Sequence, residues 1–170
     1  MDDRPDHRDR RRLDGLMHSA GAPSFRLSPA APSDLERLTD VRVAAMRESL
    51  ERIGRFDPLR ARRRMIEQFR PEHTRLIWRG EVFAGCVALG PDGPGWLRLE
   101  HFYIHPDCQG AGLGADVLAA LLAESDAQAL AVKLTVIRES AANRFYARFG
   151  FAETGRDEVD IFYERGAPAI

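Results

Sequence analysis

Gln109-Gly110-Ala111-Gly112-Leu113-Gly114-Ala115 is the stretch on which the reading of this chain turns. Three glycines alternate at the entrance of an apolar helix. Glycine lets the backbone turn tightly, so several N–H groups can converge on one spot. The helix that follows directs its N-terminal dipole there, and a phosphate or pyrophosphate is the natural occupant. The plainer reading is a loop that merely starts a helix. No Gly-Lys-Ser/Thr follows, which excludes a nucleotide-triphosphate loop. Gly110-x-Gly112-x-x-Ala115 fits a dinucleotide fingerprint in its letters. That fingerprint needs its glycines directly after a strand, and here His105-Pro106-Asp107-Cys108-Gln109 intervenes. Glu139 is poorly spaced for a ribose-binding acid.

Working outward, Trp96 to Ile104 reads as a long strand ended by Pro106. The helix after the glycines carries two apolar rows, Leu113, Val117, Leu121 and Leu118, Leu122, and reaches Ser125. Leu130 to Val136 is a buried strand. Ser140 to Arg148 is a helix with Ser140 as N-cap and Gly150 as its stop. Phe151 to Thr154 and Val159 to Tyr163 are closing strands. Upstream, Arg75–Arg79 and Val82–Leu89 form a hairpin over Gly80-Glu81. Before them come a short strand at Phe25–Leu27, a helix to about Arg52, and a helix from Asp57-Pro58 through Phe69. Ser33 and Glu36 predict a capping box on the first of these helices. The order β-α-α-β-β-β-α-β-α-β-β implies an α/β (α+β) fold with a mixed sheet, antiparallel in its middle and covered by helices on both faces.

Composition narrows the class. The chain has 170 residues, 44% hydrophobic and 30% charged, enough for one domain with a real core. Net charge is −1, which removes the simplest argument for a nucleic-acid binder. No apolar run approaches the roughly 18 residues of a membrane span. Met1 to Arg12 is charged, with no apolar stretch behind it, so no secretory signal is read and a cytoplasmic location is expected. Cys86 and Cys108 lack metal-ligand spacing and are read as free thiols, with no metal site. Residues 1–24 read as a disordered extension or an early start codon, and residues 25–170 as one domain.

Gln109-x-x-Gly112-x-Gly114, after a strand ending Phe102-Tyr103-Ile104-His105-Pro106, resembles the acetyl-CoA loop of the GNAT superfamily of N-acetyltransferases. Asn143-Arg144-Phe145-Tyr146-Ala147-Arg148-Phe149-Gly150-Phe151 resembles the second motif of that superfamily. The resemblance implies a largely antiparallel central sheet of six or seven strands with about four helices. It implies that acetyl-CoA is the co-substrate, its pyrophosphate held by backbone N–H groups of Gln109, Gly110, Ala111, Gly112, Leu113, Gly114 and Ala115. The Phe102-Tyr103-Ile104 strand end would pair through the Phe102 and Ile104 backbone with the pantetheine arm, and Asn143 would reach that arm or its amides. The Phe102 N–H would polarise the thioester carbonyl, and Tyr146 would lie near the sulfur.

An amine attacking a thioester must lose a proton, the oxyanion needs a donor, and the departing thiolate is helped by a proton. A tyrosine is still protonated at neutral pH, which suits Tyr146 as the acid; the plainer reading is a core tyrosine with a bonded hydroxyl. Asn143 and Tyr146, three apart on a helix, are expected to share a face with one ligand between them. For the base there are Glu100, His101 or a water chain. If the strand stays regular, Glu100, Phe102 and Ile104 face one way; a bulge would change that. Plainer readings are an ion pair for Glu100 and a hydrogen-bonded sheet histidine for His101.

The acceptor is expected to be the amine of a small molecule or peptide. From Arg42 to Arg75 there are ten arginines against five acids, which points to an acceptor that also carries a carboxylate or phosphate. Three rivals stand beside this reading: an acyl-CoA-binding regulator without catalysis, a dinucleotide-binding enzyme, and a partner or nucleic-acid module using Arg10 to Arg12. A homodimer through the last strand is a further expectation.

Overall fold

The computed structural model describes residues 24–169. The expected extension therefore lies outside the described residues, Ser24 excepted. The strands are β1 Arg26–Pro29, β2 Thr74–Arg79, β3 Val82–Pro91, β4 Trp96–Ile104, β5 Ala131–Ile137, β6 Ala152–Arg156 and β7 Asp160–Arg165. The helices are α1 Leu35–Arg52, α2 Pro58–Gln68, α3 Leu113–Ala127 and α4 Ala142–Ala147. One seven-stranded sheet runs β1-β2-β3-β4-β5-β7-β6. Every neighbouring pair is antiparallel except β4 with β5, which the α3 crossover makes parallel.

Local signals set the helix ends. Asp57 caps α2 by accepting the Arg60 N–H at 3.1 Å, with Pro58 at the first helical position. Ser140 accepts the Ala142 N–H at 3.2 Å ahead of α4. The expected capping box on α1 does not form. Pro32–Asp34 make a 3-10 turn instead, and the Asp34 carboxylate turns back to accept the Ala31 N–H at 2.8 Å.

Two apolar layers sandwich the sheet. α3 lays Leu113, Val117, Leu118, Leu121 and Leu122 against Val87, Leu99, Val132 and Leu134. On the opposite face Leu38 and Val41 of α1 and Met65 of α2 meet Leu76 and Cys86. Two departures from a regular sheet shape the molecule's centre. β4 and β5 pair only at Trp96–Arg98 with Ala131–Lys133 and then part. At the vertex Asp92 draws both strands together, accepting Arg98 at 2.8 Å and Lys133 at 2.9 Å. β4 also carries a bulge: Cys86 faces Tyr103, but Ala88 faces Glu100. The extra residue lies at His101, whose φ of 49° is in the left-handed region, a conformation costing a non-glycine residue roughly 1–3 kcal/mol.

β3 can follow this kink because it has no side chain at Gly85. A Cβ there would stand 2.0 Å from the Tyr103 carbonyl oxygen and 3.1 Å from the Ile104 Cα, all of it backbone. Gly85→Ala is therefore expected to destabilise the fold by roughly 2 kcal/mol or more. Gly114→Ala, whose nearest neighbour is 3.7 Å away, is the control. Urea unfolding of both variants checks the difference.

Candidate active site

The parted strands open a cavity of about 740 Å³ between β4, β5, α1, α3 and α4. Its lining includes every residue from Arg98 to Ile104, most of the glycine loop, Leu134 to Ile137, and Phe145 and Tyr146. The His105 N–H bonds the Ala84 carbonyl at 2.8 Å. By the alternation of an antiparallel ladder, the Ile104 backbone then points the other way, into the gap.

The glycine loop closes one end. Gly110 and Gly112 have φ of 85° and 81°, which any side chain would strain, and Gly112 is the αL N-cap of α3. Among the described residues no N–H from Gly110 to Ala115 has a hydrogen-bond partner; α3's own ladder begins with Asp116 N–H on the Gly112 carbonyl. A row of unpaired N–H groups at the positive end of a fifteen-residue helix fits the phosphates of a CoA-type ligand. Gln109, expected to lend its N–H to that row, does not: the N–H bonds the Pro106 carbonyl at 3.3 Å, while its Nε2 donates to the Ile104 carbonyl at 2.8 Å and holds the loop on β4.

The bulge overturns the expectation that Glu100, Phe102 and Ile104 face one way. Phe102 and Ile104 pack with the α3 layer, whereas Tyr103 packs with the α1 layer. Glu100 falls on the α1 side, where its charge acts on Tyr103. Tyr103 turns its hydroxyl to α1 and away from the β4–β5 gap, accepting from Arg42 Nη1 at 2.7 Å. The same Nη1 lies 3.0 Å from His101 Nδ1. Burial first, and the Arg42 charge second, push the His101 pKa down to about 4, so the ring is neutral at pH 7. Arginine only donates, so Nδ1 must accept and the ring proton sits on Nε2. Burial pushes the Tyr103 hydroxyl up to about 12, against the partial opposition of Arg42.

Glu100 is exposed and has no ion pair among the described residues. Tyr146 is buried, with Phe145 and Phe151 edge-on to its ring at 5.2 and 5.7 Å. Its hydroxyl has no hydrogen-bond partner among the described residues, yet is not sealed in, and the residue lines the cavity. Burial, then the neighbouring Tyr103, raise its pKa, so it holds its proton well above neutral pH.

Asn143 departs from expectation. Its Nδ2 donates to the carbonyls of Ile137, Arg138 and Ser140 at 2.8–3.0 Å, and its Oδ1 accepts from Tyr163 at 3.0 Å. Every polar site is in use fastening the β5–α4 connection, and Asn143 does not line the cavity with Tyr146. A helix spacing of three fixed the shared side of α4 only loosely, because α4 is six residues long. The residue that sequence reasoning passed over is Arg42, named only as the start of an arginine-rich span. Its signal was position: four residues after Leu38, it interrupts the apolar stripe of α1.

Among the described residues no helix is long and apolar enough to cross a membrane. The fold is shared with solved acetyltransferase structures. The PaiA N-acetyltransferase of Thermoplasma acidophilum, solved with coenzyme A, is 17% identical with a TM-score of 0.69, over 84% of this chain and 99% of that one. The ribosomal-protein-S18-alanine N-acetyltransferase of Escherichia coli is 19% identical with a TM-score of 0.65, over 85% and 96%. A putative GNAT-family acetyltransferase of Desulfovibrio desulfuricans is 23% identical with a TM-score of 0.60, over 84% and 97%. The family model for the acetyltransferase (GNAT) domain matches residues 44–164, most of the chain. With that match over the cavity and both of its motifs, the chain belongs to the GNAT acetyltransferase domain family.

Proposed function

We propose that this protein transfers an acetyl group from acetyl-CoA to the primary amine of a small molecule or peptide by direct attack. The observation that carries the reading is a single cavity onto which open the unpaired N–H groups of the glycine loop, the unpaired edge of β4, and the unpartnered Tyr146 hydroxyl. Acetyl-CoA supplies the activated acetyl thioester. The loop N–H groups from Gly110 to Ala115 hold its pyrophosphate, and the backbone edge of Phe102 and Ile104 holds the arm as an added strand would. The Phe102 N–H donates to the developing oxyanion.

Tyr146 keeps its proton at working pH and delivers it to the departing sulfur. The base is Glu100, acting through water. His101 does not serve, because its free nitrogen carries the proton and its basic nitrogen is taken by Arg42. Asn143 positions β5 against α4 rather than touching the ligand. Residues 25–170 act as one domain, and the protein works without a metal.

Calorimetry of the purified chain with acetyl-CoA, with NADH as control, tests the reading. Micromolar acetyl-CoA binding without NADH binding is expected; the reverse would return the glycine loop to a dinucleotide. Tyr146→Phe and Glu100→Gln are each expected to lower kcat by about 10²-fold, with acetyl-CoA affinity within about twofold. Acetyl-CoA binding with no turnover of any amine by the unaltered chain would favour an acyl-CoA-binding regulator.

His101 gives a pH signature. The unfolded chain takes up this proton at its ordinary value near 6.5, the folded one only near 4, so between these values the unfolded state binds more protons and stability falls as pH falls. The loss reaches about 2 kcal/mol at pH 5. Urea midpoints measured from pH 7 to 5 should show this slope, and His101→Gln should flatten it.

A further inference from the structure

Of the ten arginines from Arg42 to Arg75, four pair with acids among the described residues, and none but Arg42 is buried. Arg47 pairs with Glu51, Arg52 with Glu48, Arg62 with Asp40 and Arg75 with Glu124. Arg42 differs. It is 6% exposed, it lines the cavity, and no carboxylate among the described residues lies within salt-bridge distance of it. A buried guanidinium without an anion is costly. Its Nη1 is spent on the Tyr103 hydroxyl and the His101 ring. What remains is the opposite edge, where Nε–H and one Nη2–H run parallel, the fork that a carboxylate accepts with both oxygens. Nε is enclosed and has no partner; Nη2 has none among the described residues and is not enclosed. His101 Nε2, which carries the ring proton, is also buried without a partner. Every unmet group of this cluster is therefore a donor, and what the site lacks is an acceptor, not another cation.

We propose that Arg42 binds the carboxylate of the acceptor, so that the substrate class is a small primary amine carrying a carboxylate, an amino acid or close analogue. This rests on the acetyl-transfer reading above. The carboxylate engages Nη2 first and closes on Nε behind it, while His101 and Tyr103 hold the guanidinium from the other edge. Glu100, the acid on the same side of β4, stands free to face the amine end. Nine exposed or half-buried arginines would suit any polyanion; one buried fork selects a compact planar anion.

The test compares each proteinogenic L-amino acid with its carboxamide as acceptor for the full chain, alongside O-phosphoethanolamine and spermidine. The expected result is that the preferred amino acid exceeds its carboxamide by at least about tenfold in kcat/KM, mostly through KM. Arg42→Gln should abolish that preference, bringing the kcat/KM of acid and carboxamide to the same value, and Arg42→Lys should restore part of it. Equal use of acid and carboxamide by the unaltered chain overturns the proposal, whether or not the variants fold. So does a preference for O-phosphoethanolamine or spermidine over every amino acid. If no amine is acetylated, binding decides: the N-acetyl amino acids are titrated against their carboxamides on the chain with and without CoA. Tighter binding of the acids, lost in Arg42→Gln, upholds the anchor even where acetyl transfer fails, and no difference sinks it. Failure of CoA itself to bind counts against the acetyl-transfer reading and not against the anchor.

Discussion

Between Cys86 and Ala88 β3 advances two residues while β4, from Tyr103 back to Glu100, advances three. That one unpaired residue divides β4 into two halves with opposite facings. Before it, odd positions such as Leu97 and Leu99 pack beneath α3; after it, even positions such as Phe102 and Ile104 do. The core layer is preserved across the kink, and the other face gains His101 and Tyr103 side by side under α1. Without the extra residue one of these sets would be displaced from its layer, since a shift of one position moves every later side chain to the opposite face. The bulge also turns the strand away from β5, and the Asp92 clamp on Arg98 and Lys133 fixes where the parting begins. The cavity is thus a consequence of register rather than of a missing side chain.

The elements that could be read from sequence were those with local causes. The glycine loop announces itself because Gly110 and Gly112 adopt φ values that other residues avoid, and α2 because Asp57-Pro58 supplies both a cap and a preset φ. The hairpin at Gly80-Glu81, the length of β4 and the start of α3 follow from similar short-range chemistry. The bulge could not be read, because a histidine in the left-handed region is stabilised by distant groups: Arg42 from α1 on its ring, and the Cys86 thiol on its carbonyl at 3.3 Å. Asn143 misled for a related reason. Its spacing from Tyr146 was visible, but the three carbonyls that engage its amide converge only when the β5–α4 turn is folded. Arg42 was invisible as a site residue because periodicity reports which face a residue lies on and not what meets it there. The capping box failed where Pro32 drew Asp34 into a 3-10 turn before α1 began.

The cluster behind the bulge is held by charge without neutralisation. Arg42 lies among groups that all stay uncharged at pH 7: His101 pushed down to about 4, Tyr103 up to about 12, and Cys86 up to about 12, mainly by burial. Each lends an acceptor atom or none, and none lends a negative charge. A cluster built for stability alone would gain more from an apolar replacement of the arginine. Keeping it fixes the guanidinium plane instead, since Nη1 is tied at two points and the remaining edge has one orientation left to it.

Set along its length, the cavity carries unpaired backbone donors at the start of α3 and side-chain donors at Arg42 and His101. Two acids line it. Glu48 is taken by Arg52 at 2.8 Å, and Glu100 alone is unpaired among the described residues. Unpaired donors at the glycine loop and at Arg42, and one unpaired carboxylate at Glu100, give the cavity a polarity that a ligand must match. Acceptor oxygens match the donors, and a positive or proton-bearing group matches Glu100, the one unpaired acid of the lining among the described residues. Tyr146 lines the same cavity, and burial, then the neighbouring Tyr103, hold its proton in place. The distribution of charge in the cavity thus follows from register in β4 and from one buried arginine.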